Sequence, residues 1–138
     1  MHPFRILEHT ADIGFEAFGA TRKEVFANAA RALQSLMVDL ESIAPLQETK
    51  IQVEGSNAKN LLVNWLSEIL YQIDAEGRLF HNFDVRVVGE TSVTASARGE
   101  PFARGRHQVK LQVKAITYHQ LDLNETSMGW RAQVYVDI

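Results

Sequence analysis

Two stretches of this chain carry apolar residues at helical spacing, and alternating apolar and polar residues flank both. In the first, Val25, Phe26, Ala29, Leu33, Leu36, Met37 and Leu40 fall on one helical face. Thr21-Arg22-Lys23-Glu24 precedes it as a capping box. The Thr hydroxyl can accept from the third helical N–H, and the Glu can reach back to the Thr N–H. In the second, the apolar face is Leu61, Leu62, Trp65, Leu66, Ile69, Leu70 and Ile73. Ser56 or Asn57 is placed to cap its start, and Gly77 to end it. Each helix needs an apolar surface to cover, and the rest of the chain must supply it.

That rest reads as β structure. Phe4 and Ile6 mark one short strand and residues 13–17 a second, with a polar corner, Glu8-His9-Thr10-Ala11-Asp12, between them. Ile51 and Val53 suggest a strand that stops at Gly55, and Pro45 lies in the loop before it. Residues 83–88, 91–97, 109–117 and 130–138 complete the set, mostly separated by Gly-containing segments. With no repeat, linker or low-complexity run, the 138 residues are expected to form a single domain, 1–138. The fold class expected is α+β: mixed, mostly antiparallel sheets with two amphipathic helices packed on them. Strand order is not readable from the pattern.

Composition narrows the function. Fourteen Lys and Arg against seventeen Asp and Glu give a formal charge of -3, which excludes a uniformly basic nucleic-acid coat but not a local basic patch. Cysteine is absent, so disulfide partners, thiolate metal sites and Cys nucleophiles are excluded. No apolar run approaches the roughly 20 residues of a membrane span, and Met-His-Pro-Phe-Arg is not a signal peptide. The default expectation is a cytoplasmic protein without membrane contact. No phosphate loop of the GxxxxGK[ST] type, no GxGxxG before a helix and no GxSxG elbow occurs.

Alternation within the last strands separates core from candidate site residues. Val109, Leu111, Val113 and Ala115 fall on one side, and Lys110, Gln112 and Lys114 on the other. In the final strand, Trp130, Ala132, Val134 and Val136 are the apolar set, leaving Arg131, Gln133, Tyr135 and Asp137. Asp137 is followed only by Ile138, so a strand ending there sets a main-chain carboxylate beside a side-chain one. Two such anions need a cation. A hard divalent ion takes oxygen ligands from separate segments, and Asp12 is the obvious third donor. Three oxygen donors suit calcium, magnesium or manganese. Without a metal, Lys114 would supply part of the compensating charge, Asp12 would close its own turn, and Asp137 would be one exposed residue of a frayed strand.

His9 and His119 flank these positions as candidates to orient a ligand or to act as a general base, although a histidine satisfied by a backbone contact is the better explanation of each. The stretch 98–107, with Arg98, Arg104, Arg106 and His107, is the one basic loop. It is expected to be exposed, either as a contact for phosphate or an acidic partner or as a solvated hairpin.

Three motifs in order carry a family likeness: His9-Thr10-Ala11-Asp12-Ile13-Gly14, Val113-Lys114-Ala115-Ile116-Thr117-Tyr118-His119 and the closing Val136-Asp137-Ile138. Together with Leu61-Leu62-Val63-Asn64-Trp65-Leu66 and Gly99-Glu100-Pro101 they resemble the archease family over essentially the whole chain. The resemblance implies a protein cofactor, not itself a ligase, that activates the RtcB-type RNA ligase. That ligase joins 2′,3′-cyclic phosphate or 3′-phosphate ends to 5′-hydroxyl ends in tRNA splicing and RNA repair. Its partner promotes guanylylation and multiple turnover, and meets RNA only through the complex. By the same resemblance Asp12, Asp137 and the Ile138 carboxylate are metal ligands and Lys114 is needed for activation. Gln112 departs from the pattern, since many members carry Glu two residues before that Lys, and it joins His9 and His119 as a candidate to orient a ligand. The alternative implied role is a chaperone or specificity modulator of RNA- or DNA-modifying enzymes such as methyltransferases.

Overall fold

A computed structural model of the chain describes residues 2–8 and 12–138, with Glu8 described by its backbone alone. The described residues form eight strands and two α-helices in the order β1(Phe4–Glu8), β2(Ile13–Gly19), α1(Arg22–Met37), β3(Gln47–Glu54), α2(Ala58–Asp74), β4(Arg78–Val88), β5(Ser92–Pro101), β6(Ala115–Ile116), β7(Asp122–Thr126) and β8(Gly129–Asp137). A short 3-10 turn, Leu40–Ser42, follows α1. The α+β expectation holds.

Both helices start where their caps dictate. Thr21 accepts from the Glu24 N–H at 3.2 Å. The Glu24 carboxylate returns to the Ala20 N–H at 3.0 Å, one residue earlier than a standard capping box. Asn57, not Ser56, caps α2, accepting from the Asn60 N–H at 2.9 Å, and the Asn60 side chain accepts from the Ser56 N–H. Gly77, at φ +65°, turns the chain from α2 into β4 in the left-handed conformation that glycine adopts without strain.

All named strand pairings are antiparallel. One sheet runs β1-β2-β8, with β6 and β7 both on the far edge of β8; the other runs β3-β5-β4. β6 and β7 run in the same direction along β8, so they behave as one strand interrupted by an excursion over residues 117–121. Both helices pack against strands of both sheets. The core between them centres on Phe15, Phe26, Leu33, Trp65, Leu66 and Phe80, all buried. The Trp65 indole N–H donates to the Phe26 carbonyl at 2.9 Å, which ties α2 to α1 at the middle of the core.

β4 starts at Arg78, five residues before the expected strand, β5 runs on to Pro101, and two further strand expectations change. The continuous strand over 109–117 is not formed. Val109 makes a single bridge to Val38, Lys110 N–H donates to the Met37 carbonyl, and regular pairing starts only at Ala115. The segment passes from the end of α1 to the edge of β8, so its two ends pair with different partners. Its alternation breaks there too: Val113 is fully buried and Ile116, not Ala115, packs on the core. The second change is β7, which the apolar pattern did not announce: Asp122-Leu123-Asn124-Glu125-Thr126 has a single large apolar residue and is held by its ladder to β8.

Candidate functional site

The β2–β8 ladder ends with Ile13 opposite Val136. One step further, antiparallel register sets Asp12 across from Asp137. On the other edge of β8, Ala115 pairs with Asp137, and the Lys114 N–H donates to the Asp137 carbonyl at 2.8 Å. Asp12, Lys114, Asp137 and Ile138 therefore meet at one corner of the five-stranded sheet, although they lie at opposite ends of the sequence. Asp12 is half-buried; Lys114, Asp137 and Ile138 are exposed.

The floor of this corner is aromatic. Tyr135 is buried, and its ring covers Gly14, the residue paired with it. The His119 ring meets the Tyr135 ring edge-on, with centroids 5.5 Å apart. Thr117 anchors the strand end by donating its N–H and its hydroxyl to the Tyr135 carbonyl, at 3.1 and 2.9 Å. The Asn60 amide donates to the Tyr118 hydroxyl at 2.6 Å, so the start of α2 holds the 117–121 excursion in place. Nothing in the periodicity pointed to the Asn60–Tyr118 link, because it joins two exposed polar residues far apart in sequence.

The donor set at the corner suits a hard divalent cation. Asp12 and Asp137 offer carboxylate oxygens, and no ion pair to either occurs among the described residues. Among those residues no three His, Cys, Asp or Glu side chains cluster as a metal site. The corner has two carboxylate side chains, those of Asp12 and Asp137. His119 stands beside the corner through its contact with Tyr135; His9 lies outside the described residues. Gln112 is exposed on the segment leading to Lys114.

The basic stretch 98–107 is not one exposed loop. β5 runs through to Pro101, so Arg98 is a strand residue opposite Glu48 in the three-stranded sheet, away from the corner's sheet. Glu100 is 5% exposed and draws in its neighbours. It accepts from the Ala44 N–H at 2.8 Å, from the Arg106 guanidinium at 2.8 and 2.9 Å, and from His107 Nε2 at 2.9 Å. His107, 2% exposed, accepts the Ala103 N–H on Nδ1, so its proton sits on Nε2 facing Glu100. A buried carboxylate must be paired, and that requirement buries His107 against it and draws the Arg106 guanidinium over it, although the Arg106 side chain stays 55% exposed. Arg104 remains exposed in the turn. Alanine 44, burial, His107 and Arg106 act together on Glu100. The Ala44 N–H lowers its carboxyl most, burial opposes it, and the bonds from His107 and Arg106 leave it below the ordinary range.

A second buried carboxylate, Glu16, lies on β2. Arg5 on β1 and Arg131 on β8 both pair with it. Burial acts to raise its carboxyl, and the two guanidinium groups together more than offset that, leaving it lowered.

Comparison with known proteins settles the family. The model of the Archease protein family (MTH1598/TM1083) matches residues 4–138. The chain belongs to the archease family. It is 41% identical to the archease of Methanosarcina mazei over 98% of this chain and 95% of that one. It is 38% identical to the archease of Pyrococcus furiosus over the whole of both. The solution structure of Methanobacterium thermoautotrophicum protein 1598 superposes with a TM-score of 0.86 at 29% identity, covering all of both chains. A Thermotoga maritima crystal structure, described as an archease and possible chaperone, shares the fold with a TM-score of 0.66 at 21% identity over 96% of this chain and 94% of that one. Among the described residues, no helix is long and apolar enough to cross a membrane.

Proposed function

We propose that this archease-family chain is a cytoplasmic activating partner of an RtcB-type RNA ligase, promoting its guanylylation and multiple turnover in tRNA splicing and RNA repair. The observation that carries the proposal is that the β2–β8 ladder ends at Ile13 opposite Val136, which leaves Asp12 and Asp137 as the next residues of the two segments, with Lys114 bonded through its backbone to Asp137. These are the positions that the family resemblance makes functional. By the family resemblance the Ile138 carboxylate is the third ligand, which gives an all-oxygen set for calcium, magnesium or manganese. A cation held there would supply positive charge next to ligase-bound nucleotide phosphates. Lys114, exposed at the same end of the sheet, adds a second positive charge near it. Tyr135 and Gly14 keep the two strands in close register beneath the carboxylates. RNA is met only through the ligase.

The test is ligase turnover with excess phosphorylated RNA ends, GTP and a divalent metal. The unaltered chain is expected to convert a single-turnover reaction into a multiple-turnover one. Asp12→Asn, Lys114→Ala and a chain extended beyond Ile138 are expected to lose most of that stimulation while staying folded. Full stimulation by all three would overturn the assignment. Recovery of a methyltransferase but no ligase from native extract would favour the chaperone role over this one.

A further inference from the structure

Beside the segment that leads to Lys114 lies an apolar cavity of about 350 Å³. Its walls are Met37 and Val38 at the end of α1, Ile73 in α2, Leu79 of β4 and Leu111. Phe102 and Val109 form its rim and stay 41% and 56% exposed. Exposed apolar side chains gathered around a cavity mark a surface that gains by being covered. The volume is at the small end of ligand pockets, enough for one bulky side chain.

The rim has a single carboxylate, Asp74, the last residue of α2. No ion pair or hydrogen bond to its side chain occurs among the described residues. The negative end of the helix dipole disfavours an anion there. Asp74 is exposed, and partial loss of water beside its apolar neighbours raises its carboxyl above the ordinary range. An incoming cation would relieve both effects. The cavity also touches the candidate site: Gln112 lines it and stands two residues before Lys114, about 7 Å along an extended chain.

We propose that this cavity is a docking pocket for a segment of the ligase, which inserts one bulky apolar side chain next to a Lys or Arg that meets Asp74. The inference rests on the ligase being the partner and adds where that partner is gripped. Docking here would lay the same segment along residues 109–112 and bring the ligase surface up to Lys114 and the carboxylate corner. Gln112 is uncharged, which leaves Asp74 as the sole anion of the pocket lining.

The experiment titrates the chain into a fixed amount of RtcB-type ligase and reads both the half-maximal concentration and the maximal turnover. Phe102→Ala and Asp74→Asn are expected to raise the half-maximal concentration about tenfold and to leave the maximum unchanged. Asp74→Glu, which keeps the charge, is expected to retain most of the affinity. Asp12→Asn is expected to do the reverse, lowering the maximum. Asp74→Asn removes an unpaired carboxylate, so its melting temperature should not fall, which separates weaker docking from unfolding. An unchanged half-maximal concentration in Phe102→Ala and Asp74→Asn, with Asp12→Asn still defective, overturns the pocket and leaves the activator reading intact. Equal losses in Asp74→Asn and Asp74→Glu also contradict it. No stimulation by the unaltered chain overturns both.

Discussion

Gly14 and Tyr135 face each other across the β2–β8 ladder, and a β-carbon on Gly14 would lie 2.7 Å from two ring carbons of Tyr135 and 2.9 Å from the Val134 carbonyl. The glycine is therefore required by close approach, not by a turn. Gly14→Ala is expected to force the ring or the strand to shift and to cost about 1–3 kcal/mol, as overpacking typically does. Chemical denaturation of the two proteins measures it. Equal midpoints would mean that the ring moves aside freely and does not fix the register under Asp12 and Asp137.

Gln34 makes a second prediction. It is fully buried in α1, donates its amide to the Phe80 carbonyl, and accepts the Phe80 N–H at 2.7 Å. The side chain thus acts as a strand partner for β4, just before the register irregularity between Phe80 and Asn82. Gln34→Leu keeps the volume but leaves two buried backbone groups unpaired, at about 1–3 kcal/mol each. The loss should appear as a lower urea midpoint and faster amide exchange at Phe80.

These two residues mark the boundary of what the sequence reveals. The helices were legible because Thr21, Asn57 and the periodic Leu, Ile and Trp positions all agree on the same elements. The apolar face of β8 was legible for the same reason: Ala132, Val134 and Val136 are all buried. Gln34 inside an apolar helix face gave no local sign of its partner, because that partner is the backbone of a strand 46 residues away. The 109–117 segment misled because its alternation is regular while its hydrogen bonds go to α1 at one end and β8 at the other. The basic stretch misled because one buried carboxylate, Glu100, reorganises it. At the corner, Asp12, Lys114 and Asp137 were each nameable from charge and motif, but their meeting is a matter of strand order, which no periodicity encodes.

Acid should destabilise the fold through Glu16 and Glu100. Both carboxyls lie below their ordinary range in the folded chain, Glu16 through Arg5 and Arg131 against opposing burial, Glu100 first through the Ala44 N–H. A carboxyl lowered by folding contributes stability that is fully present above its unfolded value, roughly 4.3, and is lost as pH falls through its folded value. Denaturant midpoints should therefore be steady near neutrality and fall below about pH 5. In Glu16→Gln the neutral-pH midpoint should drop, and the gap to the unaltered chain should narrow in acid. A gap that stays constant with pH would mean that Glu16 is not held ionised by its two arginines.

The pairing around Glu100 predicts a change confined to one loop. Glu100→Gln removes the negative charge and leaves one acceptor oxygen in place of two for Ala44, Arg106 and His107. Backbone amide exchange should rise over residues 102–108 and at Ala44, with little change in the five-stranded sheet. Uniform loss of protection would show that the cluster supports the whole fold and not this segment.

Calorimetric titration of calcium, magnesium and manganese into the unaltered chain, Asp137→Asn and a chain extended by one residue past Ile138 tests the cation corner most directly. One site per chain is predicted, with affinity at least about tenfold weaker in both variants, because each removes a carboxylate charge from a three-carboxylate set. Undiminished binding by both variants, or no binding of any of the three ions by the unaltered chain, would contradict a cation held between Asp12, Asp137 and the chain end.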